Sequence, residues 1–199
     1  LDLRRVVLQV SGRDNNISVE KFSGDIGANG HFDISGSFSS WPVAAAETAA
    51  LDIKIKAPNA EEISASSGFA WPLFLNAPVP VDFSIHWRKN GQAMTYHIAG
   101  GFRGGTVDLK KPVADAPVKL LATMPDSYGL LSLFGLDIDR LVSPAGAAQL
   151  SADIAGDMES YIAEGLRITS GDALTTGRIE KNAQGIRADL RTGTAHFDR

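Results

Sequence analysis

Apolar and polar residues alternate along most of this chain with a period of two. Leu51, Ile53 and Ile55 are interleaved with Asp52, Lys54 and Lys56, and Val81, Phe83, Ile85 and Trp87 with Asp82, Ser84, His86 and Arg88. The same rhythm runs through Phe32, Ile34 and Phe38, through Leu150, Ala152 and Ile154, and through Ile186, Ala188 and Leu190. Successive side chains of a strand point to opposite faces, so each segment predicts a strand with one apolar and one wet face. A succession of such strands is the antiparallel signature, since buried parallel strands read as continuous apolar runs. Lys89-Asn90-Gly91, Gly156-Asp157 and Asn182-Ala183-Gln184-Gly185 supply the turns of a meander. The expected fold is mostly β, an antiparallel, twisted and curved meander sheet.

Helix is scarce in this pattern and falls at two equivalent places. Asn59 is placed to cap Ala60-Glu61-Glu62-Ile63, and Asp126 to cap SYGLLSLFG, with Gly68 and Gly135 as stops. Two short helices are therefore expected, over residues 59–67 and 126–134. Each follows a strand and a proline, LDIKIKAPN from Leu51 and VKLLATMPD from Val118. Pro58 and Pro125, Gly68 and Gly135, and Ser84 and Ser151 are all 67 positions apart. These are the only identities in the ungapped stretch from Leu51 to Trp87, so a repeat is carried by pattern and breakers more than by letters. The organisation expected is one continuous domain: residues 1–48 completing a preceding unit, a first unit over 49–115 and a second over 116–199. Upstream, HFDISGSF from His31 echoes YHIAGGF from Tyr96. The chain reads as a piece of a longer array.

Composition narrows the class. The 199 residues are 44% hydrophobic and 21% charged, enough apolar content for a folded core and against disorder. A formal net charge of −4, with Arg4-Arg5 and Lys110-Lys111 as isolated pairs, gives no basic footprint for nucleic acid. No cysteine is present, which removes disulfides, thiolate metal sites and a thiol nucleophile. The longest uncharged stretch, residues 63–81, is broken by Pro72, Pro78 and Pro80 and does not read as a membrane span.

Candidate chemistry is thin. Gly100-Gly101-Phe102-Arg103-Gly104-Gly105 is glycine-rich, but a phosphate cradle needs a helix after it, and Thr106 to Leu109 reads as a strand. Asp137-Ile138-Asp139 lacks the regularly spaced oxygen ligands of a calcium loop. His31, His86, His97 and His196 are scattered, with no i, i+4 pair and no Gly-x-Ser-x-Gly elbow, and no orienting group is evident beside any of them. Trp87 is in phase with an apolar face, while Trp41 and Trp71 precede prolines and read as loop anchors. No catalysis, metal or other cofactor is expected.

The order of these features resembles a known family. Short strands carrying Gly-x-Phe-Asp-Ile-x-Gly, an apolar strand into Ala-Pro-Asn, a short helix and a Pro-containing loop precede a second round ending in GIRADLRTGTAHFD. From about Ile17 onward this resembles the AsmA-like proteins of Gram-negative envelopes, best in the segment from Met124-Pro125-Asp126 to Gly135. The resemblance implies a long curved sheet forming an open β-groove, related to that of bridge-like lipid-transfer proteins, whose apolar face carries acyl chains. It also implies a periplasmic location, an inner-membrane anchor in a segment absent from this chain, and no enzymatic residues.

Two functions follow as expectations. The first is non-catalytic handling of phospholipid, or another acyl-chain ligand, between the inner and outer membranes in envelope biogenesis, with envelope membrane proteins as further partners. The lipid-facing residues are then Leu51, Ile53, Ile55, Val81, Phe83, Ile85, Trp87, Val118, Leu120, Leu150 and Ile154, each set in one phase of its strand. The second is a structural or adhesive module whose apolar faces close on one another as a β-sandwich or barrel, binding protein or glycan through its loops. Alternation alone is common to both.

Overall fold

The computed structural model describes residues 3–13, 16–27, 29–58, 80–102, 104–126, 130, 146–156 and 160–194. They form one twelve-stranded antiparallel sheet in which every strand pairs with its neighbours in sequence. The strands are β1 (Leu3–Arg13), β2 (Asn16–Ile26), β3 (Gly30–Phe38), β4 (Thr48–Ala57), β5 (Val81–Asn90) and β6 (Ala93–Phe102). They continue as β7 (Gly105–Lys111), β8 (Val118–Met124), β9 (Ala148–Gly156), β10 (Tyr161–Ser170), β11 (Ala173–Asn182) and β12 (Gly185–Thr194). β1 and β12 are the two edges, so the sheet is an open meander and not a barrel, and there is no second sheet to make a sandwich of the described strands. The closed architectures entertained from the alternation are thereby set aside: pairing in sequence order satisfies each inner strand on both sides and leaves β1 and β12 apart. A single 3-10 turn, Val43–Ala45, stands in the β3–β4 connection. Among the described residues no helix is long and apolar enough to cross a membrane.

Because the strands alternate in direction, their connections fall at two ends of the sheet. The lower end carries the β2–β3, β6–β7 and β10–β11 turns and the two long connections, β4–β5 and β8–β9. The upper end carries the remaining turns, including the β5–β6 turn in which Gly91 has φ of 57°. β4 ends at Ala57 and β8 at Met124, while β5 begins at Val81 and β9 at Ala148; each pair is 67 residues apart. Pro58 and Pro125 each follow directly on these strand ends, where an imide without an N–H leaves the ladder. The two expected helices fall outside the described residues apart from Asp126 and Leu130. The echo of HFDISGSF in YHIAGGF joins β3 to β6, which run in opposite directions, so it is no translation within the sheet.

The glycine-rich stretch is a hairpin, as its turn chemistry predicts. β6 ends and β7 begins at the facing pair Phe102 and Gly105, with Gly104 at φ of 76° between them. Gly100 answers a packing need: a Cβ there would collide with the Asp82 carbonyl oxygen and come within 2.7 Å of the Phe83 ring. The bulky Phe83 thus lies over a neighbour that has no side chain.

Register breaks interrupt the period of two at β1–β2, β2–β3 and on both sides of β10. In β10 the break between Ala163 and Leu166 contains Gly165 at φ of 60°, a bulge that moves the inward positions from odd to even numbers. Ala163, Leu166 and Ile168 are all buried as a result. One contiguous core cluster runs along a single face of the sheet from Ile26 on β2 to Ile179 on β11, and Leu130, from the β8–β9 connection, is fully buried within it.

Candidate functional site

All eleven residues expected to face lipid lie on this one apolar face. Across β4 and β5, Leu51 faces Trp87, Ile53 faces Ile85, and Ile55 faces Phe83, while Val81 faces Ala57. Across β8 and β9, Val118 faces Ile154, Leu120 faces Ala152, and Leu150 faces Ala122. The strands between carry the same rows onward: Ile98 joins Ile85 to Leu109 and then Leu120, and Gly100 joins Phe83 to Val107 and then Ala122. Tyr96, Ile98, Val107 and Leu109 were therefore missing from the sequence-based set although TYHIAG and TVDLK alternate; Leu166 was hidden behind the β10 bulge, and Ile179 shares its β11 phase with Thr175, Gly177 and Lys181, which carry no apolar rhythm.

Burial along this face is graded from one end to the other. At the lower end Val81, Phe83, Phe102, Val107, Met124 and Leu150 are at most 3% exposed. Ile55, Ile85, Leu109 and Leu120 on the next rows are still buried. At the upper end Leu51, Trp87, Tyr96, Val118 and Ile154 are only half-buried, and Ile53 and Ile98, on the row of Ile85, are half-buried too. The lower part is thus a sealed core and the upper part an apolar surface that solvent-sized molecules reach. The buried end coincides with the end from which the two long connections leave, and Leu130 belongs to one of them. Half-burial also raises the Tyr96 phenol pKa above its ordinary value, because burial disfavours the phenolate.

The face remains apolar out to both sheet edges, where it is uncovered. Leu8 and Val10 on β1 pair with Phe22 and Val19, and Ile186 and Leu190 on β12 pair with Lys181 and Gly177. All four are exposed.

The opposite face is polar and carries an ordered set of charges. Asp52, His86, His97, Lys110, Lys119, Asp153 and Glu164 face one another in turn from β4 to β10. His86 Nδ1–H donates to Asp52 Oδ1 at 2.7 Å, and Arg88 Nη2 reaches the same oxygen at 3.1 Å. His97 Nε2–H donates to Asp108 Oδ2 at 2.8 Å. The expectation that the histidines lack an orienting group is thus corrected for these two: antiparallel pairing puts a carboxylate from the next strand beside each ring, a juxtaposition that residue spacing does not encode. The rings also face each other, with centroids 6.3 Å apart. Hydrogen bonding from His86, with Arg88 in support, holds the Asp52 carboxyl below its ordinary pKa against the opposing effect of burial. At the β1–β2 edge Arg5 does the same for Asp25, aided by His31.

These groups stand on an open face and not in a cleft, with side chains 38–57% exposed. Among the described residues no three histidine, aspartate or glutamate side chains converge as metal ligands. A cavity of about 430 Å³ at the upper end is lined by Lys111, Asp115, Val118, Asp153, Ile154 and Glu164, without a nucleophile and base in contact. His196, Trp71 and Asp137-Ile138-Asp139 lie outside the described residues. Trp41 packs its ring against Phe38, with centroids 6.0 Å apart, and is otherwise exposed. Comparison of the chain with known protein families, with curated proteins and with solved structures finds no match.

Proposed function

We propose that this chain is a non-catalytic, lipid-handling segment of a periplasmic envelope-biogenesis protein of the AsmA-like kind, in which the apolar face of the sheet carries acyl chains. The observation that carries this reading is the half-buried upper row of Leu51, Trp87, Tyr96, Val118 and Ile154, in which Lys111 faces Tyr96. It is continuous with a sealed core and opposite a charged face. Covering apolar surface contributes roughly 25 cal/mol per Å², so an uncovered row favours an apolar ligand. An acyl chain suits it because successive rows offer a largely apolar track with no fixed stopping point. The 67-residue spacing of strand ends supports reading residues 49–115 and 116–199 as repeated units, a form that extends such a track by addition.

Phospholipid is the ligand class, and envelope membrane proteins are the further partners that this location implies. The location itself rests on the family resemblance. Mass spectrometry of organic extracts from natively purified protein tests the reading. Phospholipid in near-stoichiometric amount is the expected result, and a lipid-free, folded protein would contradict it.

A further inference from the structure

His86 and His97 are a directly opposed pair on the polar face, where β5 meets β6. Each ring is backed by a carboxylate from the strand on its far side. Asp52 on β4 accepts from His86 Nδ1–H at 2.7 Å, and Asp108 on β7 accepts from His97 Nε2–H at 2.8 Å. An ionised carboxylate only accepts, so each bond fixes the tautomer of its neutral ring and leaves the lone pair on His86 Nε2 and His97 Nδ1. Among the described residues neither of these nitrogens has a hydrogen-bond partner.

The two nitrogens of an imidazole point to opposite sides of the ring. With one ring bonded outward to β4 and the other outward to β7, the two free nitrogens turn toward the space between β5 and β6. The ring centroids are 6.3 Å apart, with 31° between the ring planes. Two metal–nitrogen bonds of about 2.1 Å at a tetrahedral angle span about 3.4 Å between the nitrogens. Side chains that are 57% and 38% exposed reach that span by a turn about χ1 and χ2.

We propose that His86 Nε2 and His97 Nδ1 chelate a divalent late transition metal, Cu²⁺ most tightly, with water in the remaining positions. Imidazole suits Cu²⁺, Ni²⁺ and Zn²⁺, and affinity at a given nitrogen site is highest for Cu²⁺. The carboxylate behind each ring is the outer partner that ligating histidines use, since it fixes the ring and raises its basicity. Charge does not select the ion: Asp52 and Asp108 stand against Lys54, Arg88 and Lys110 on the surrounding positions of the same face. Ca²⁺ and Mg²⁺, which require several oxygen ligands, are not matched by this pair. The sequence-based expectation of no metal rested on spacing along the chain, which does not show a pair made across strands. The site lies on the face opposite the half-buried row and is independent of the lipid reading.

The test is titration of the untagged, metal-free chain with Cu²⁺, followed by calorimetry, electron paramagnetic resonance and thermal melting, with Mg²⁺ as the control ion. One Cu²⁺ per chain is expected, with a spectrum of two coordinated imidazole nitrogens. The melting temperature should rise by about 5–10 °C at a hundredfold excess of free metal over Kd. His86→Asn/His97→Asn should remove the spectrum and the thermal shift while keeping the metal-free melting temperature within about 2 °C of the parent, as befits surface substitutions. His31→Asn should change neither. Asp108→Asn keeps both ligands and should weaken Cu²⁺ binding by about tenfold, through the loss of a charged partner behind a ligating ring. Absence of stoichiometric Cu²⁺ from the parent, or its retention by the double histidine variant, would overturn the site. Undiminished binding by Asp108→Asn would overturn the positioning role of the carboxylate.

Discussion

Asp52 gathers the densest set of polar contacts on the wet face, accepting from His86 at 2.7 Å and from Arg88 at 3.1 Å. Arg88 Nη1 also donates to the carbonyls of Leu51 and Trp87, each at 3.0 Å, so this cluster joins β4 to β5 above the half-buried Leu51 and Trp87. Its effect on stability is bounded by exposure, because a pair open to water contributes about 0–1 kcal/mol. Asp52→Asn should cost less than about 1 kcal/mol at neutral pH. The sign of its pH dependence follows from the lowered pKa. The contribution is fully present above the unfolded-state value of about 3.9 and is lost as pH falls through the lower folded value. Urea denaturation of parent and variant should show the difference at pH 7 shrinking toward zero as pH falls below the ordinary carboxylate range. A difference that grows in acid would contradict the assignment of Asp52 as a charged acceptor.

At the level of single elements, nine of the twelve strands keep or nearly keep the alternation of their letters, and β1, β2 and β10 do not. In β2 the inward set passes from Ile17 and Val19 to Phe22 and Ile26 across a register break. Glu20 and Lys21, two polar residues in succession, are the mark of that break in the chain. In β10 the mark is Gly165 between Glu164 and Leu166. Residue type and period therefore made the rows of β4, β5, β8 and β9 legible, including all eleven residues expected on the apolar face. They do not say how deeply a row is buried, because depth depends on what packs beside the row in three dimensions, as Leu130 does in the core. They also do not reveal the His86–Asp52 and His97–Asp108 pairs, which exist only once neighbouring strands are in register. Gly165→Val tests the bulge, since a β-branched residue is strained at a φ of 60°, at a cost of about 1–2 kcal/mol. Deleting Gly165 instead puts Ala163, Leu166 and Ile168 in one unbroken period of two, so they keep their inward phase and cooperative unfolding by circular dichroism should be retained. A deletion variant that loses cooperative unfolding, or a valine variant that melts like the parent, would contradict the bulge.

Across the whole molecule, the two long connections leave one end of the sheet and the half-buried row stands at the other, so the apolar face is sealed below and open above. That polarity separates a sealed core from the part of the same surface that the lipid reading assigns to acyl chains. A charge placed in the sealed part must lose its water without a partner, a penalty of several kcal/mol, whereas at the open end water still reaches it. The most direct test of the lipid reading is therefore to compare Phe83→Asp and Ile154→Asp with the parent, measuring thermal melting and co-purified phospholipid on the same samples. The account predicts that Phe83→Asp fails to fold, and that Ile154→Asp stays folded with a melting temperature lowered by no more than about 8 °C, equivalent to roughly 2 kcal/mol, while losing most of the bound lipid of the parent. A folded Ile154→Asp variant with undiminished lipid, or a parent that carries none, would contradict it.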